Sequence, residues 1–171
     1  MIDDNTKKDI LDDLYLFSSR LSKSDSARNR KMFDKLMREG GFVEFTLPIY
    51  ASKEAAKIAG LSNLKELSMI KSFHQVRNRI LDKHKGLLHW EHRFEVLECR
   101  KHCVEKAKSL SEKDFKSWAQ DQIKNHWSIC IISKDQQKAL KKLEKSDKTI
   151  KGPARYEHCK IEISIIRQSL L

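Results

Sequence analysis

The chain is poor in the residues that mark most enzyme classes. Among 171 residues it has 5 glycines, 2 prolines and 4 cysteines, and aromatics make up 8%. It holds no P-loop, no Gly-rich dinucleotide fingerprint, no G-x-S-x-G elbow and no H-E-x-x-H pair. Those absences favour a binder without chemistry over an enzyme, and no cofactor is expected. No apolar run approaches the ~20 residues of a membrane-spanning helix. The opening "MIDDNTKKDILDDL" is acidic and offers no apolar signal core. Cys99, Cys103, Cys130 and Cys159 lack the spacing of a secreted disulfide framework. The expectation is a cytoplasmic protein with reduced thiols and no membrane partner.

What the chain does have is charge. Lys and Arg number 35 against 24 Asp and Glu, a net charge of +11. Hydrophobic residues at 39% still allow a packed core. An excess of this size points to a polyanionic partner, with nucleic acid ahead of an anionic membrane surface.

Periodicity predicts a mainly helical α+β fold. Ile10, Leu14, Phe17 and Leu21 mark a helix over 6–21, and Met32, Phe33, Leu36 and Met37 mark a second over 26–39 that stops at Gly40-Gly41. "GFVEFTLPIY" alternates through Val43, Phe45 and Leu47, with Pro48 as a strand end or edge. Ser52 caps a short helix that Gly60 stops, and Ser62 caps a longer one whose stripe is Met69, Phe73, Val76 and Ile80. Residues 87–108 are expected to continue as helix, with Trp90, Phe94 and Leu97 apolar. Ser111 and Asp114 form a capping box for a helix over 111–126, and "SICIIS" is a short strand. Ser133 and Gln136 cap a helix over 134–146. "ARYEHCKIEISII" alternates through Cys159, Ile161, Ile163 and Ile165 as a half-buried strand. The expected organisation is a helical N-terminal arm over 1–40 followed by an α+β nucleic-acid-binding domain over 41–171, unless 1–171 is one domain. "ARNRKMFDKL" and "VRNRILDKHK" echo each other, but their flanks differ, so no duplication is read.

"SKEAAKIAGLSNLKELSMI", residues 52–70, resembles the helix-turn-helix of bacterial regulators. Ala56 is small enough for helices to cross, Gly60 permits the turn, and Leu61-Ser62 opens the next helix. Glu66 stands where the family pattern has an apolar residue, and Leu67 comes one position late. The resemblance implies a recognition helix from Ser62 that offers Asn63, Lys65 and Glu66.

"FHQVRNRILDKHKG", residues 73–86, reads in two ways. On a helix, Arg77 and His84 return to nearly one face, ~10 Å apart along the axis. An R-N ahead of a His resembles the HEPN-type ribonucleases. That likeness implies Arg77, Asn78 and His84 as a catalytic set, His in acid–base work and Arg on the phosphorane. The other reading makes Lys71, Arg79, Lys83 and Lys85 a solvated, phosphate-neutralising face.

His89 with His92, and Cys99 with Cys103, have helical metal-ligand spacing, but one straight helix cannot close a tetrahedron with both pairs. His126, Cys130, His158 or Cys159 would have to complete it, and no metal is expected. Lys138, Lys141, Lys142, Lys145, Lys148, Lys151 and Arg155 make a basic run, read as a solvated helix face with a second phosphate-binding surface as its alternative.

The sequence therefore reads as a nucleic-acid-binding regulatory or accessory protein, DNA favoured over RNA. Lys53, Lys57, Lys65, Lys71, Arg77, Arg79, Lys83 and Lys85 would meet phosphates, and Asn63 would read a base edge. Homodimerisation would pair half-sites. The alternatives are the HEPN-like ribonuclease toxin and a protein-interaction module with an acidic partner.

Overall fold

The computed structural model describes residues 4–38, 49–60 and 81–167. The expected strand residues Val43, Phe45, Leu47 and Pro48, and the stripe Met69, Phe73, Val76 and Ile80, lie outside them. The fold is mainly helical α+β, with a small four-stranded sheet. The elements are α1 (Asp4–Lys23), α2 (Ala27–Arg38), β1 (Ile49–Ser52), α3 (Lys53–Ile58), β2 (Leu88–His92), α4 (Val96–Ser109), α5 (Glu112–Asn125), β3 (Ile129–Ser133), α6 (Lys134–Ser146), α7 (Ala154–His158) and β4 (Ile163–Arg167). They divide into two compact units, one built from residues 1–46 and 95–127, the other from 47–94 and 128–171.

The first unit is helical. α1 packs on α2, α4 and α5. The α1 stripe is buried as its period requires: Ile10, Leu14, Phe17 and Leu21. Phe33 and Met37 of α2, Cys99 and Cys103 of α4, and Phe115 and Ile123 of α5 are buried in the same unit. Tyr15 sets its ring edge against Phe115 at 5.3 Å, and Trp118 sets its own against Trp127 at 5.7 Å, in the geometry aromatic quadrupoles prefer. Arg100 of α4 pairs with Asp34 of α2, and Lys116 of α5 bridges Asp12 and Glu112.

The second unit is the sheet, in strand order β2-β3-β1-β4. β1 and β3 run parallel, with Ile49 beside Ile129, while β2 and β4 close the sheet antiparallel. Each parallel strand passes directly into a helix through a serine cap. Ser52 Oγ accepts from the Ala55 amide, and Ser133 and Gln136 form the expected capping box. Ser52 Oγ also donates to Gln136 Oε1 at 2.6 Å, tying the two strand ends together. One face of the sheet packs Cys130 and Ile132 under Leu140 of α6, Tyr156 of α7 and Ile161.

Two expectations are corrected. Residues 87–108 are not one helix: Leu88–His92 is a strand paired with β3 from Leu88↔Ser133 to His92↔Ile129, and helix resumes only at Val96. Pairing to a buried strand outweighed a weak helical period. Residues 154–158 are a helix within the expected strand; Lys160 at φ 54° turns the chain and β4 begins at Ile163. Cys159, Ile161 and Ile163 still reach one core, by a turn and not by pleating.

Candidate nucleic-acid interface

Of the residues expected to meet phosphate, Lys53, Lys57, Lys83 and Lys85 are described and all four are exposed. Lys53 pairs with Glu162, which neutralises part of its charge inside the unit. Asn63, Lys65, Lys71, Arg77, Asn78 and Arg79 lie outside the described residues. Of the segment that resembles a helix-turn-helix, α3 and the residues up to Gly60 are described. Gly60 stands at φ 65°, the left-handed conformation that a helix-ending glycine adopts without steric strain. The proposed recognition helix lies outside the described residues.

His84 is in a turn over residues 83–87, where its carbonyl accepts from the Leu87 and Leu88 amides. The helical register used to place it over Arg77 therefore ends before it. His89 and His92 sit on β2 at odd spacing, so they point to opposite faces of the sheet. Among the described residues, no three or more His, Cys, Asp or Glu side chains gather as metal ligands.

Buried beneath α6 is a polar cluster that sequence reasoning missed. Arg155 is fully buried. Its guanidinium donates to Glu144 Oε1, to the His92 carbonyl at 3.0 Å and to the Gly152 carbonyl at 3.3 Å, with Glu91 at 3.7 Å. Gly152 is required there, because a β-carbon would come within 2.8 Å of the Phe94 ring. Glu91, Cys130 and Tyr50 are cross-strand neighbours in register, and Arg93 lies 4.1 Å over the Tyr50 ring. Burial pushes the Cys130 thiol up to about 12 and raises the Tyr156 hydroxyl as well. The hydrogen bonds of Arg155 tie α7 to α6 and to the end of β2.

α6 buries Gln137, Leu140 and Leu143. Lys138, Lys141, Lys142 and Lys145 fall at i, i+3, i+4 and i+7 and are exposed on one face. Glu144 falls on the opposite side of the helix, beside Gln137 and Leu140, where it pairs with Arg155. Lys138 pairs with Asp135; Lys141, Lys142 and Lys145 have no carboxylate partner among the described residues. Arg155, counted in sequence with the basic run, belongs to the interior and leaves it. No protein-family model matches the chain, and no curated protein or solved structure is significantly similar to it.

Proposed function

We propose that the chain is a nucleic-acid-binding regulatory or accessory protein, with DNA favoured, that acts by binding and not by catalysis. The observation that carries this reading is the exposed lysine row on α6, of which Lys141, Lys142 and Lys145 have no carboxylate partner among the described residues. A row of cations on one helix face, in a chain of net charge +11, suits a phosphate backbone. Exposed Lys57, Lys83 and Lys85 add cations in the same unit. Cytoplasmic location and homodimerisation belong to the same proposal. No helix among the described residues is long and apolar enough to cross a membrane.

The test is binding of labelled duplex DNA, single-stranded DNA and RNA across a salt series, with the RNA checked for breakage. The proposal expects affinity that falls steeply with salt, and intact RNA. Absence of binding near ~0.15 M salt would point instead to an acidic protein partner.

A further inference from the structure

The net charge is not shared between the two units. Residues 1–46 and 95–127 hold 16 Lys and Arg against 15 Asp and Glu, a balance of +1. Residues 47–94 and 128–171 hold 19 against 9, a balance of +10, which is nearly all of the chain's +11. The helical unit also matches its cations locally. Lys7 pairs with Asp4, Arg30 with Asp25, Lys101 with Glu98, and Lys116 with Asp12 and Glu112.

Topology brings lysines of the other unit to one end of the sheet. β1 and β3 are parallel, so both finish at that end, at Ser52 and Ser133. β2 and β4 run the other way and begin there, with Leu88 beside Ser133 and Ile163 beside Ser52. Backbone bonds fasten the incoming loops. The Lys134 amide donates to the Leu87 carbonyl at 2.9 Å, and the Lys53 amide to the Glu162 carbonyl at 3.0 Å. The four segments that meet here, 52–58, 82–87, 133–138 and 160–162, carry seven Lys against four Asp and Glu. Lys53 is paired with Glu162, and Lys138 with Asp135. Lys57, Lys83, Lys85 and Lys160 are exposed and have no carboxylate partner among the described residues. Ser52 and Ser133 already accept from first-turn amides of α3 and α6, so the lysines are what this end offers an anion.

We infer that phosphate contact is confined to the sheet unit and that, beyond the α6 row, it is made by this end of the sheet through Lys83, Lys85 and Lys160. The cations are spread and not convergent. Lys83 and Lys85 precede β2 and Lys160 precedes β4, the two outer strands, which at ~4.8 Å per strand lie ~14 Å apart. A single small anion cannot span that width. A nucleic-acid backbone can, because duplex DNA carries a charge every ~1.7 Å and ~14 Å of it presents about eight. The inference rests on the nucleic-acid reading above, and gives it a second surface and a boundary.

The experiment compares the full chain with K83Q/K85Q/K160Q at the sheet end and K31Q/K106Q/K113Q on the helical unit, using a labelled duplex DNA and an RNA of equal length over a salt series. Both sets remove three exposed lysines, so the two variants have equal net charge, and circular dichroism confirms that each is folded. K83Q/K85Q/K160Q is expected to flatten the log–log salt slope of duplex binding by about 2.7, at ~0.9 for each phosphate no longer neutralised. K31Q/K106Q/K113Q is expected to leave the slope unchanged. Equal flattening by the two sets would overturn the confinement to the sheet unit and spare the function. Binding by the parent whose slope K83Q/K85Q/K160Q leaves intact would overturn the sheet end and leave α6 as the contact. Binding of neither ligand by the parent would overturn this inference and the nucleic-acid reading together.

Discussion

Arg155 donates from Nη1 to Glu144 Oε1 at 2.5 Å, joining a buried guanidinium to a carboxylate on the side of α6 opposite its lysine row. Glu144 keeps 38% of its side chain exposed, while Arg155 is fully buried. The pair is thus anchored on its basic member. Arg155→Met should lower the free energy of unfolding by about 3–5 kcal/mol, because it strands Glu144, Glu91 and backbone carbonyls without their donor. Urea denaturation measures it, and a change under ~1 kcal/mol would mean that the cluster relaxes around the gap.

The α6 face gives a charge-counting prediction. K141Q/K142Q/K145Q should flatten the salt slope of duplex DNA binding by about 2.7, at ~0.9 per neutralised phosphate. K8Q/K113Q, equally exposed and on the helical unit, should leave the slope unchanged. Equal effects from both sets would mean that net charge, and not the α6 surface, sets the affinity.

His84→Ala should leave nucleic-acid affinity within about twofold and yield no change in RNA integrity. His84 lies in the 83–87 turn, and the binding reading assigns it no contact. RNA cleavage by the parent chain that His84→Ala abolishes would favour the ribonuclease reading over the binder.

The thiols and one phenol predict an alkaline limit. Burial raises Cys99, Cys103, Cys130 and Tyr156 above their ordinary values, Cys130 to about 12. Each group ionises more readily in the unfolded chain than in the folded one. The stability they contribute is fully present below the unfolded values, from 9.0 for the thiols, and is lost as pH rises toward the folded ones. Urea midpoints should therefore hold steady up to pH ~8.5 and fall through about pH 9–11. Ellman's reagent at about pH 8 should find Cys159, the one thiol with appreciable exposure, and reach the other three only on unfolding. A midpoint that stays flat to about pH 11 would contradict the burial.

Ser52 and Gln136 predict a coupling between two strand ends. Ser52→Ala removes both a helix cap and the bond to Gln136, from a residue with no exposure, and should cost about 1–2 kcal/mol. A double-mutant cycle with Gln136→Ala should return a non-zero interaction energy; strict additivity would mean that the bond contributes nothing.

Local signals in the sequence located local structure well. The α1 stripe, the Ser111 cap of α5, the Ser133–Gln136 box and the strand at Ile129–Ser133 all stand where residue type and spacing placed them. What failed depends on partners far along the chain. "LHWEH" has the composition of a half-wet helix until Trp90 is set opposite Ile131. Arg155 reads as one more surface cation until Glu144, Glu91 and the β2 carbonyls are brought around it. The exposed lysines were legible individually; which of them share a face was legible only within one helix.

The order in which the sheet's members leave the ribosome follows from its topology. Among the described residues β1 is the first strand made, yet both of its neighbours, β3 and β4, are made last; Ile49 pairs with Ile129, 80 residues later, and with Arg167. Residues 95–127, which complete the helical unit, are translated in the interval. The helices can therefore settle while β1 still has open edges, and sheet closure is a late, long-range event. During that wait the nascent chain presents unpaired strand edges, so co-translational aggregation, and not collapse of the finished fold, is where weakening substitutions in β3 would first be felt.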